Sequence, residues 1–122
     1  MLERARDDRQ QECCGLLGGR DGMISRTFPA QNVARDPAKS YEISPKQLFP
    51  FMREIRAAGL QLLGIYHSHP AGPNEPSPRD IEQAFYPDAA YFILSPDPKA
   101  AKPVRAFSIR DGIVRELQVE VV

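Results

Sequence analysis

The chain has no excess of charge of either sign. Sixteen lysine and arginine residues match sixteen aspartate and glutamate residues, and the formal net charge at pH 7 is zero. Without a basic field there is little to release counterions from nucleic acid, and without a polybasic run there is no hold on anionic lipid. Both absences argue against nucleic acid or a membrane surface as a partner. Long hydrophobic runs are missing too. None approaches the ~18 apolar residues of a membrane helix. The opening MLERARDDRQ alternates charges where an export signal would set a positive stretch before an apolar one. Cysteine is scarce, and Cys13 and Cys14 are neighbours in ECCGLLGG. On a strand their side chains point to opposite faces, a poor arrangement for a mutual disulfide. The expectation is a reducing, cytoplasmic setting with both thiols as small buried apolar groups.

Histidine is as scarce as cysteine. Both imidazoles, His67 and His69, fall in IYHSHPAGPNEPSPRD (65–80), which also holds four of the twelve prolines and ends on Asp80. At 122 residues the chain suits one domain over 1–122, burying about two-thirds of the surface its unfolded form exposes. LERARDDRQQ has helical spacing, and CGLLGG, RDG and MISRTFPAQNVA read as strand, turn and strand with Asp21-Gly22 as the hairpin signal. SPKQLFPFMREIRAAG predicts a helix with Ser44 as N-cap, Pro45 at the first helical position and a stop at Gly59; Pro50 is expected to bend or delay it. LQLLGIYHSH is the next strand and SPRDIEQAFY a short helix. AAYFILS, VRAFSIR and IVRELQVEVV are three further strands, the last two joined at Asp111-Gly112. This order describes a mixed α/β or α+β domain.

His67 and His69 stand at i and i+2 at the end of an apolar strand, so they leave one face with Cα atoms about 6.5 Å apart and can reach one ion. A catalytic zinc usually has three protein ligands and one open position. A His-X-His pair alone does not establish a metal, since polar strand faces also carry histidines. Asp80 is the candidate third ligand, and SPRD is equally a helix start, with Ser77 as N-cap, Pro78 at the first position and Asp80 placed to return a capping-box bond. The prolines at 70, 73, 76 and 78 restrict the loop that delivers it. Glu12, just before the first strand, could be a base for an activated water or simply a solvated acid at the end of the first helix. Spacing does not choose between these.

HSHPAGPNEPSPRD resembles the JAMM motif of the MPN-plus metalloproteases: His-X-His-Pro, six residues, then Ser-X-X-Asp, matched by His67, His69, Pro70, Ser77 and Asp80. ECCGLLGG is similar to the strand on which that family places its catalytic glutamate, and the similarity runs from Glu12 to about Ser95. The resemblance implies a cytidine-deaminase-like layered fold, a curved mixed sheet flanked by helices. It implies one zinc per chain held by His67, His69 and Asp80, Glu12 as general acid/base, and Ser77 as hydrogen-bond donor to the water or the oxyanion. It further implies a peptidase or isopeptidase that cleaves after the C-terminal tail of a ubiquitin-like sulfur-carrier protein. The alternatives are a zinc hydrolase of another small peptide or amide, and a non-catalytic MPN scaffold. The oligomeric state is left open.

Overall fold

The computed structural model describes residues 1–7 and 9–120; Asp8 and residues 121 and 122, on which the expected first helix and last strand partly fall, lie outside the described residues. The elements are α1 (Leu2–Asp7), β1 (Cys14–Arg20), β2 (Met23–Ala30), α2 (Pro45–Ala57), β3 (Gln61–Ser68), α3 (Pro78–Glu82), β4 (Ala90–Leu94), β5 (Val104–Arg110) and β6 (Ile113–Leu117). Among the described residues the strands form one six-stranded sheet in the order β2-β1-β3-β4-β5-β6. Every neighbouring pair is antiparallel except β3 and β4. Parallel neighbours need a crossover, and here it is the segment that carries the proline-rich arm and α3.

Local chemistry accounts for most of these elements. Asp21-Gly22 and Asp111-Gly112 have positive φ at both positions, the backbone of the hairpin turns whose twist matches the strands they join. Ser44 caps α2 by accepting from the Lys46 N–H at 3.2 Å. Pro50 neither delays nor ends α2, which starts at Pro45 and runs on to Ala57; the residue is exposed, so solvent can satisfy the carbonyl left without its donor. Register shifts opposite Gly18/Gly19 and Leu17/Gly18 leave Ser25 of β2 and Leu63 of β3 without a partner across from β1, bulges that bend those strands and curve the sheet. Four elements stop short of the sequence expectation, α1 among them, since residues 9–11 are not helical. β2 ends at Ala30 and leaves a lone bridge between Asn32 and Ile43, α3 ends at Glu82, and β6 ends at Leu117.

The sheet is covered on both faces. Leu16, Phe28, Ile65, Ile93 and Phe107 pack with Ile55 of α2, and Ile81 of α3 adds to the same side. Cys13, Leu17, Tyr66, Phe92 and Leu94 pack with Ala5 of α1 on the other. This is the layered arrangement expected from the resemblance. Among the described residues no helix is long and apolar enough to cross a membrane. Arg4 fastens α1: it donates to the Cys14 carbonyl (3.0 Å), the Tyr66 hydroxyl (2.7 Å) and the Ala30 carbonyl (3.0 Å).

Tyr66 reaches Arg4 by lying over Gly15, where an added Cβ would sit 2.5 Å from Tyr66 Cε1 and 2.6 Å from the Phe28 carbonyl oxygen. Gly15→Ala should therefore lower stability by about 1–3 kcal/mol through overpacking. A urea titration checks this, and an unchanged midpoint would mean that the Tyr66 ring and the Phe28 backbone can both shift to make room.

Candidate metal centre

β3 runs antiparallel to β1, with His67 opposite Cys14. The pairing continues one step further through a side chain: Ser68 N–H donates to the Cys13 carbonyl (3.0 Å), and the Cys13 N–H donates to Ser68 Oγ (2.8 Å). On the other side His69 N–H donates to the Leu94 carbonyl of β4 (2.9 Å). Both histidines are thus held by backbone bonds, on the face that carries Ile65 and α2. Glu12 lies just before the paired part of β1.

The side chains converge. His67 Nε2 and His69 Nε2 are 3.1 Å apart, and Asp80 Oδ2 is 3.2 Å from the first and 3.1 Å from the second. Tetrahedral zinc bonds of about 2.0–2.1 Å place neighbouring ligand atoms roughly 3.3 Å apart, so this triangle has the size of one face of such a site. Glu12, His67 and His69 also offer one atom each within 4.8 Å of one another. The contacts of Glu12 reach further than those of Asp80, whose triangle with the histidines is nearer in size to one face of a zinc site. Glu12 Oε1 is buried without a hydrogen-bond partner in the protein. An orphaned carboxyl oxygen beside three converging ligand atoms fits a site completed by an ion and its water.

The surroundings orient the ligands. His69 Nδ1 donates to the Pro73 carbonyl (3.0 Å), which turns Nε2 towards Asp80 and His67; an ion there would take the place of the Nε2 proton. Asp80 sits in a capping box: its N–H donates to Ser77 Oγ (3.1 Å), and its Oδ2 accepts from the Ser77 N–H (2.9 Å). The helix-start and ligand readings of SPRD therefore share one geometry, and the Ser77 hydroxyl proton is not used in the box. Asn74 pins the arm by donating to the carbonyls of Lys102 (2.8 Å) and Ile93 (3.3 Å). The Tyr41 ring stacks on His67, with centroids 4.4 Å apart and planes at 20°. Neither Asn74 nor Tyr41 is signalled by sequence periodicity, since each acts through a contact far along the chain.

Electrostatics separate the two acids. Burial pushes the Glu12 carboxyl up to about 7; Asp80 adds to this, while His69 and Arg79 oppose it. Burial also opposes ionisation of Asp80, but hydrogen bonds from both histidines and the Ser77 amide hold it well below the usual carboxylate range. His67 is kept neutral by burial. For His69 burial is outweighed by its bonds to Asp80 and Pro73 and by nearby negative charge, which raises its pKa.

Comparison with known proteins gives the family and the fold. The model of a family described as prokaryotic homologues of the JAB domain matches residues 1–110. The chain is 39% identical over 102 residues to a probable TtuB-protein conjugate cleaving protease from Thermus thermophilus, covering 84% of this chain and 64% of that one. It is 34% identical over 124 residues to the CysO-cysteine peptidase of Mycobacterium tuberculosis, covering 100% of this chain and 84% of that one. A solution structure of a protein from Desulfitobacterium hafniense superposes with a TM-score of 0.82 at 36% identity, covering 97% of this chain and 83% of that one.

Cobalt(II) is a spectroscopic stand-in for metal at such a site. Titrated into metal-stripped protein, it should give tetrahedral d–d absorbance that saturates at one equivalent. His69→Ala should weaken binding by more than the ~10–100-fold typical of losing an outer-shell partner. Because the raised pKa of His69 means that it keeps its proton to higher pH, metal must displace that proton. Affinity should climb as pH rises from about 6 and level off once the ring is neutral. Absorbance without a break at one equivalent would exclude the site.

Proposed function

Since the chain belongs to the family of prokaryotic homologues of the JAB domain, we propose that it is a zinc peptidase that hydrolyses the amide bond after the C-terminal tail of a ubiquitin-like sulfur-carrier protein. The observation that carries this reading is the pairing of a ligand-sized triangle, His67, His69 and Asp80, with a separate buried carboxylate, Glu12, within 4.8 Å of both rings. Two imidazoles and one carboxylate would hold a catalytic zinc, one per chain, a donor set that such sites use. The names of two relatives support the substrate class, one cleaving TtuB-protein conjugates and the other a CysO-cysteine bond. The free, buried thiols of Cys13 and Cys14 suit a reducing cytoplasm.

When bound, zinc supplies Lewis acidity that polarises a carbonyl and lowers the pKa of water towards neutrality. Glu12 takes the proton of the attacking water and returns it to the departing amine. Burial, which raises the Glu12 carboxyl, makes it a better proton acceptor than a solvated acid and so suits it to both transfers. Ser77 accepts the Asp80 N–H at 3.1 Å, which fixes its oxygen and leaves its hydroxyl proton for the oxyanion that forms as the carbonyl is attacked. The extended tail has a place to lie. Tyr41, stacked on His67, also walls an open, mainly apolar pocket of about 230 Å³ lined by Leu48, Ile65, Phe85 and Tyr86.

Glu12→Gln should keep its metal and lose about 10²- to 10⁴-fold in turnover, the usual contribution of a general base. Parent turnover by this variant would remove Glu12 from the chemistry.

Substrate size gives a second test. A folded ubiquitin-like protein ending in Gly-Gly and joined by an amide to an aminocoumarin should be cleaved with a much higher kcat/KM than a peptide copying only its last residues, because binding remote from the scissile bond helps to position it. Equal values would favour a hydrolase of small peptides.

A further inference from the structure

Glu12 precedes β1, and its own backbone is held by the segment between β2 and α2 instead of by the sheet. Its N–H donates to the Pro37 carbonyl at 2.7 Å, and its carbonyl accepts from Asn32 Nδ2 at 2.9 Å. Asn32 does more than this. The same Nδ2 donates to the Ser40 carbonyl at 2.9 Å and approaches the Pro37 carbonyl at 3.4 Å, while Oδ1 accepts the N–H groups of Ala34 (3.0 Å) and Glu42 (3.1 Å). Carbonyl oxygens on one end and N–H groups on the other fix the orientation of the amide without ambiguity. Ser40 and Glu42, both held by Asn32, flank Tyr41, whose ring stacks on His67. One side chain therefore ties together the backbone of Glu12 and the segment that packs a ring against a ligand histidine. Since Glu12 Oε1 has no hydrogen bond in the protein, the aim of the carboxyl depends on where its backbone is held.

We propose that Asn32 is a positioning residue for the reaction: its amide sets the aim of the Glu12 carboxylate, and so governs turnover without touching substrate or metal. The inference rests on the reading of Glu12 as the proton carrier. It goes beyond that reading in assigning a role to a residue outside the ligand and base set.

The test is a double-mutant cycle with the aminocoumarin conjugate of a ubiquitin-like protein, with rates expressed per bound zinc. Asn32→Ala should retain zinc and keep KM within about threefold, with kcat reduced by about 10- to 100-fold, the scale of a misplacement of about 1 Å. In a Glu12→Gln background the same change should cost less than about twofold, because an absent base cannot be misaimed. Equal losses in the two backgrounds would make Asn32 a general prop of the fold and overturn the proposal, as would an unchanged kcat. Asn32→Asp keeps the two acceptor contacts and loses the donors. It should reproduce the kcat loss with zinc retained, and gives the same reading where the alanine variant does not fold. Glu12→Gln alone, measured first, separates failure of the base assignment from failure of this one.

Discussion

The antiparallel meeting of β1 and β3 is the constraint on which the site depends. Opposite direction brings the start of β1 to the end of β3, so a carboxylate just before one strand lies beside histidines at the close of the other. A parallel pair would have put Glu12 and His67 at opposite ends of the sheet. The register is fixed where it matters by the bonds between Ser68 and Cys13, in which the serine hydroxyl stands in for a backbone acceptor. At that step β3 gives up β1 on one side and keeps β4 on the other, through the bond from His69 to Leu94. The two imidazoles are consequently anchored from both sides, as a shared ion requires.

The parallel pairing of β3 with β4 supplies the rest. A crossover has to leave the end of β3, pass over the sheet and return, and its first part emerges beside the histidines. The arm spends that proximity on Asp80. α3 has no buried residue of its own, so packing alone does little to hold it. Its cap, the contacts of Asp80 with the histidines and the anchoring of Asn74 locate it instead. Proline is well chosen for such an arm, since the chain loses less freedom on ordering than a glycine-rich loop would.

Much of this was legible in the sequence because it is local. The Asp-Gly hairpins, the Ser44-Pro45 start of α2, the strand through His67 and the Ser77 cap each announce themselves within a few residues. The convergence of His67, His69 and Asp80 was legible through the resemblance of HSHPAGPNEPSPRD to the JAMM motif, since spacing alone left Asp80 open between a ligand and a helix cap. Arg4, Asn32, Ser68 and Tyr41 were not legible. Their partners lie far along the chain, and a single amide or hydroxyl that bonds distant carbonyls leaves no period behind. The ends of elements were misjudged for a related reason. The reading of MISRTFPAQNVA as one strand failed at Ala30, where the Asn32 side chain begins to satisfy backbone groups that a longer ladder would have paired. Pro50 shows the converse: a residue that opposes helix locally is tolerated in α2, where Leu48, Phe51, Met52 and Ile55 are held against the sheet.

The same arrangement that prepares the site also costs stability. A buried carboxyl oxygen without a partner costs about 1–3 kcal/mol, and removing His67 from water without a bond to Nδ1 adds to this. On the proposed reading the first cost cannot be relieved inside the site, because a protein group bonded to Glu12 Oε1 would occupy the place of the water that Glu12 would deprotonate. The offset has to come from elsewhere. It is found on the far face, where Arg4 bonds three strands and Tyr66 lies over Gly15, and in the Asn32 cluster, whose bonds satisfy the loop around Glu12. A ligand that binds only the folded chain adds its binding free energy to the fold, so an ion seated among His67, His69 and Asp80 would return stability to the region that gives it up. On the proposed reading, the partnerless carboxyl that would serve as base and the cluster that would hold the ion belong to one under-satisfied pocket.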